Sequence, residues 1–140
     1  MDIRLVGCSK TKSHTACLAK DFYTSPLFRL AFAYAKASYK RVYILSAKYD
    51  LLHPEDEVRP YDMCLNSMSV AERNKWGERV AKQVMDALPA SSLLYIHAGR
   101  NYASGLIDHL PGSFEIEIPL ASLSIGEQLR WYMKQMAQAA

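Results

Sequence analysis

Residues 3–8 read IRLVGC, residues 26–35 read PLFRLAFAYA and residues 41–46 read RVYILS, and this succession decides the fold. Ile3 to Cys8 is a short apolar run broken only by Arg4, and it opens into the polar stretch Ser9-Lys10-Thr11-Lys12-Ser13-His14, as a buried strand feeding a loop does. Thr24-Ser25-Pro26 then supplies a cap and a first-turn proline, and Leu27, Leu30, Ala31, Tyr34 and Ala35 follow at helical spacing. Arg41 to Ser46 is a second buried strand. Strand, loop, helix and strand in that order imply a parallel crossover.

The pattern continues outward. Lys48 to Met68 keeps no period, holds Pro54 and Pro60, and is expected to be one long ordered loop. Ser69-Val70-Ala71-Glu72 is a capping box, and Trp76, Val80, Val84 and Leu88 mark a helical face ending at Pro89. Ser92 to Ala98 reads as a third buried strand. A short helix through Leu106 and Leu110 follows, closed by Pro111-Gly112, and Phe114 to Ile118 alternates as an edge strand does. Ser124 and Glu127 box the last helix, whose expected buried stripe is Ile125, Leu129, Tyr132, Met133 and Met136. About four strands alternating with helices predict an α/β fold: one three-layer α/β/α domain over residues 1–140 with a mostly parallel, Rossmann-like sheet.

Composition narrows the classes. Half of the 140 residues are hydrophobic and 22% are charged, enough for an ordinary core and unlike a disordered chain. No apolar run approaches the roughly 20 residues of a membrane span, and Asp2 and Arg4 stand where a signal peptide would be apolar, so no membrane partner and a cytoplasmic setting are expected. Cys8, Cys17 and Cys64 cannot all pair and are expected as free thiols. Seventeen Lys and Arg against fourteen Asp and Glu leave +3, which is compatible with a polyanion but decides nothing. His14, His53, His97 and His109 share no metal-ligand spacing with the cysteines, so neither a metal nor a cofactor is expected; His97 reads as a core histidine.

In α/β sheets ligands bind beyond the carboxyl ends of the strands. Three polar clusters fall there: Ser9, Lys10, Thr11 and Lys12; Ser46, Lys48, Tyr49 and Asp50; and Gly99, Arg100, Asn101 and Tyr102. The first joins hydroxyls, ammonium groups and free amides suited to a phosphate, without the spaced glycines of a Walker loop. Cys8 is either a nucleophile or a small core residue. The Ser46-x-Lys48 spacing allows a serine–lysine dyad, but an ammonium beside Tyr49 and Asp50 is easily kept charged, which favours ligand contact. Tyr49 and Tyr61 bound a carboxylate-rich loop and could stack on a base or pack locally. Asp62 and then Asp50 are the carboxylates that could orient water or stabilise a cationic sugar.

The strings GCSKTK, DFYTSPLFRLAFAYA, YILSAKYDLLHPEDEVRPYD, AGRNY and PLASLSIGEQLRW together resemble a family of small bacterial and phage-borne domains. The central signature, Leu45 to Leu52 followed by Pro54, Pro60, Tyr61 and Asp62, is similar to the LSxxYGLLxP...PY motif of the YaaA peroxide-stress proteins, which are associated with DNA binding and protection against oxidative DNA damage. More distantly the chain resembles a domain that accompanies archaeosine tRNA-ribosyltransferases and is related in fold to uracil-DNA glycosylases. Two departures stand out: Asp50 replaces the motif's glycine, and Ser122 to Ser124 replace a glycine-rich segment.

The resemblance implies chemistry at the N-glycosidic bond of a modified or damaged base. Tyr49 or Tyr61 would stack, Ser9, Lys10, Lys12, Ser46, Lys48 and Arg100 would face phosphates, and Asp62 or Asp50 would act on water or the sugar. A non-catalytic module that binds DNA or a nucleotide would use the same residues, as would a hydrolase of small nucleotides.

Overall fold

A computed structural model describes residues 2–9, 11–38, 41–90 and 92–139. Strand β1 (Asp2–Gly7) is flanked by β3 (Arg41–Ser46) and β6 (Leu93–His97) and runs parallel to both. β7 (Glu115–Glu117) extends the sheet in parallel beside β6, and β4 (Asp50–Leu52) closes the other edge antiparallel to β3, giving the order β4-β3-β1-β6-β7. A separate antiparallel pair joins β2 (Cys17–Leu18) to β5 (Glu57–Val58). The helices are α1 (Ala19–Phe22), α2 (Pro26–Ser38), α3 (Val70–Ala87), α4 (Arg100–Ile107) and α5 (Ile125–Ala139).

Successive strand residues enter opposite cores, which is why the central strands read as continuous apolar runs. Ile3, Leu5, Tyr43 and Leu45 pack with Trp76, Val80 and Val84 of α3 and Leu106 of α4. Val6, Val42 and Ile44 pack with Ala31 and Ala35 of α2 and Tyr132 of α5. Helix α3 starts where its capping box places it: Ser69 Oγ accepts from the Glu72 N–H at 3.1 Å and Glu72 Oε1 accepts from the Ser69 N–H at 3.1 Å. It crosses α4 at a glycine pair, because a Cβ on Gly77 would lie 1.8 Å from the Gly105 carbonyl oxygen.

Three expectations are corrected. The main sheet has five strands, not about four. The segment 48–68 is ordered but is not loop throughout: it carries β4, β5 and a 3-10 turn at Leu65–Ser67. These strands are two or three residues long, too short to show a period. The buried stripe of α5 is rotated, since Ile125 is 67% and Met133 59% exposed. Trp131 and Tyr132 meet Tyr34 of α2 edge-on and tilted, and that docking turns Met133 to solvent.

Candidate functional site

The chain leaves β1 toward β3 and leaves β6 toward β7, so the loops beyond these neighbouring strands diverge and open a crevice. A cleft of about 260 Å³ lies there, floored by Gly7, Cys8 and Ser9 on one side and His97, Ala98 and Gly99 on the other. The strand ends are close: a Cβ on Gly7 would sit 2.8 Å from the Ala98 Cβ, so the floor needs glycine. The amino ends of three helices face the same space through Ser25, Gly99 and Gln128. Ser25 Oγ accepts from the Phe28 N–H at 3.1 Å, and Ser124 Oγ from the Glu127 N–H at 3.2 Å. Gly99, the N-cap of α4, has no side chain to cap with. A groove of about 650 Å³ adjoins the cleft along α4 and shares Ala98, Gly99 and Gln128 with it.

Neutral groups form the wall. Cys8 Sγ and Tyr102 Oη are 3.0 Å apart. Burial pushes the Cys8 thiol up, partly offset by the Tyr102 hydrogen bond, and burial likewise raises the Tyr102 phenol. His97 Nδ1 lies 2.7 Å from Tyr132 Oη, while Arg4 Nη1 meets His97 Nε2. Burial first, and the Arg4 charge second, lower the His97 pKa to about 3; burial raises that of Tyr132. At neutral pH these four groups therefore offer hydrogen bonds without changing charge.

A second cluster stands at the β3 end. The fully buried Ser46 Oγ accepts from the backbone N–H of Tyr49 at 3.0 Å and of Lys48 at 3.3 Å, and lies 3.0 Å from Tyr61 Oη, itself 2.8 Å from Tyr23 Oη. Burial, followed by the neighbouring Cys8, raises the Tyr61 phenol and takes Tyr23 to about 12. The Tyr61 ring stacks on Phe22 at 5.8 Å, with Lys12 Nζ 4.9 Å and Lys48 Nζ 5.8 Å from its centroid. Two ammonium groups thus share one ring at the β3 end of the sheet.

Cys8, Ser9, Gly99 and Tyr102 meet at the cleft, and Lys12, Ser46, Lys48, Tyr49 and Tyr61 meet at the second cluster. Lys10 lies outside the described residues. Ser46 spends its hydroxyl on the turn and on Tyr61 rather than on the Lys48 ammonium. Arg100 is exposed at the start of α4. Asp50 turns to α3, with Arg79 Nε at 3.2 Å and Gln83 Nε2 at 3.3 Å from its carboxylate. Asp62 is exposed, and neither carboxylate lines the cleft. The residues the sequence reading missed as site groups are Ser25, His97, Gln128 and Tyr132. The cap signature marked Ser25 only as a helix start, and His97 and Tyr132 gave ordinary core signals. Among the described residues no cluster of three His, Cys, Asp or Glu side chains could hold a metal, and no helix is long and apolar enough to cross a membrane.

The model of a family described as of unknown function, DUF6884, matches residues 3–134. No curated protein matches the chain.

Proposed function

The chain belongs to the DUF6884 family of unknown function, and we propose that it binds a nucleotide, free or within a nucleic acid, across the carboxyl ends of β1, β3 and β6. The observation that carries this reading is the cleft between β1 and β6, onto which three helix amino ends face, with the Lys12 and Lys48 ammonium groups over the Tyr61 ring at the β3 end of the same sheet. Its volume of about 260 Å³ suits one nucleotide moiety, and the adjoining groove of about 650 Å³ provides room for the rest. Helix amino ends and ammonium groups favour phosphate, and a wall of neutral donors tolerates it. We read the sheet as the middle of three layers, because its residues alternate between a core with α3 and α4 and a core with α2 and α5. The setting we assign is the cytoplasm, where three free thiols persist.

Hydrolysis at the N-glycosidic bond of a modified or damaged base is the second reading. It follows from the resemblance read in the Leu45 to Asp62 segment, and Asp62 standing exposed next to Tyr61 is compatible with it. Recognition has the more direct geometric support, since no carboxylate among the described residues lines the cleft.

The test is calorimetric titration with deoxynucleoside 5′-monophosphates and a short single-stranded oligonucleotide at several salt concentrations. In parallel, DNA carrying normal and modified bases is assayed for abasic sites and released bases. Saturable binding that weakens with salt is expected, the oligonucleotide more steeply than the mononucleotide. Base release abolished by Asp62→Asn would establish the enzymatic reading. Absence of binding to either ligand at low salt overturns the proposal.

A further inference from the structure

Three groups deep in the fold form a directed chain. Arg4, on β1, is 4% exposed, and its guanidinium meets His97 Nε2. A guanidinium has only donors, so Nε2 must be an acceptor and the imidazole proton must sit on Nδ1. Nδ1–H therefore donates to Tyr132 Oη at 2.7 Å. The tyrosine oxygen accepts in that bond, which leaves its own proton to be given elsewhere. Tyr132 is 1% exposed, His97 is its sole hydrogen-bond partner among the described residues, and both rings line the cleft. A buried hydroxyl that gives its proton to nothing is costly unless a ligand takes it.

We propose that Tyr132 donates this proton to a phosphate oxygen of the nucleotide bound in the cleft, with Arg4 and His97 as positioning residues that fix its direction. The inference deepens the cleft reading above and rests on it. A phosphate oxygen is the fitting acceptor, because α4 begins there at Gly99 with no side chain to satisfy its first-turn N–H groups. Burial keeps His97 neutral and Tyr132 protonated throughout the physiological range, so the arrangement persists with no proton to lose.

The experiment has a ligand-independent and a ligand-dependent arm. Nitrogen-15 NMR of the wild-type protein at pH 7 is expected to show His97 protonated at Nδ1 and unprotonated at Nε2. The opposite tautomer overturns the chain whatever binds. Calorimetry then compares thymidine 5′-monophosphate, inorganic phosphate and thymidine on the wild type and on Tyr132→Phe, with the NMR spectrum confirming that the variant is folded. Tyr132→Phe is expected to bind both phosphate ligands more weakly by about tenfold to a hundredfold and thymidine as the wild type does, a split that a merely structural tyrosine would not produce. Should Tyr132→Phe fail to fold, the wild-type Tyr132 hydroxyl proton serves instead: its resonance must shift with thymidine monophosphate and not with thymidine. Equal affinity of both proteins for the monophosphate overturns Tyr132 as the donor and leaves the nucleotide reading standing. A wild type that binds none of the three ligands overturns both.

Discussion

Asp50 occupies the left-handed region at φ 61°, which glycine adopts more readily, and its carboxylate bonds to α3. The two features pull in opposite directions. A Cβ in left-handed geometry costs roughly 1–2 kcal/mol, less for Asp than for Ala. Against that, Arg79 contributes about 0.2–1 kcal/mol, since its side chain is 53% exposed and solvent screens the pair. The Gln83 hydrogen bond contributes about 1 kcal/mol. Asp50→Ala keeps the strain and loses both bonds, an expected loss of about 1–2 kcal/mol. Asp50→Gly loses the same bonds but relieves about 1 kcal/mol of strain, and should lie within about 1 kcal/mol of the wild type. At an unfolding entropy of about 2.1 cal/mol/K per residue, each kcal/mol moves the Tm of a 140-residue chain by about 3 °C. Thermal and urea denaturation should therefore order the proteins as wild type and Asp50→Gly together, with Asp50→Ala about 3–7 °C below. Glycine as damaging as alanine would refute the strain argument. Loss of nucleotide binding in a stable Asp50→Gly protein would refute the assignment of this carboxylate to the turn rather than to the ligand.

Other outcomes follow from the same geometry. Gly77→Ala places a methyl 1.8 Å from the Gly105 carbonyl oxygen, so α3 and α4 must separate at a cost of about 1–3 kcal/mol or more, while Gly112→Ala, with nothing within 4 Å, should leave Tm unchanged. His97 has a folded pKa of about 3 against 6.5 for the free side chain. Its contribution is complete above pH 6.5 and is lost as the pH falls toward 3, because the unfolded chain takes the proton first. Between pH 6 and pH 5 the wild type should lose about 1 kcal/mol more than His97→Gln, and parallel stability curves would contradict this. Burial holds the Cys8 thiol above its usual range, so alkylation at neutral pH should reach Cys8 quickly only in denaturant, and rapid labelling in the native protein would show the strand end to be open.

The parts of the fold legible in the sequence are those whose cause is local. Ser69 with Glu72 and Ser124 with Glu127 mark helix starts because each box closes within one turn. Val42 to Leu45 read as a buried strand because both faces are covered. Asp50 to Leu52 did not read as a strand because three residues carry no period, and the reversal feeding it depends on one residue adopting φ 61°. The rule that ligands bind at strand carboxyl ends pointed to Cys8, Ser9, Gly99 and Tyr102, which line the cleft. It could not find the Arg4, His97 and Tyr132 chain, whose members lie 93 and 35 residues apart, with His97 and Tyr132 carrying ordinary core signals and Arg4 only that of a charge interrupting a strand. Nor could it separate Asp50 from the cleft-lining groups, because the side of the turn that a carboxylate takes depends on Arg79 and Gln83.

The central claim is that the crevice between β1 and β6 holds a nucleotide, and residue-resolved NMR during titration with a deoxynucleoside 5′-monophosphate tests it most directly. Saturable amide shifts are expected at Gly7 to Ser9, at Ala98 to Asn101 and in the first turn of α5, with the exposed β7 edge unmoved. Saturable shifts centred elsewhere, or none at millimolar ligand, would contradict it.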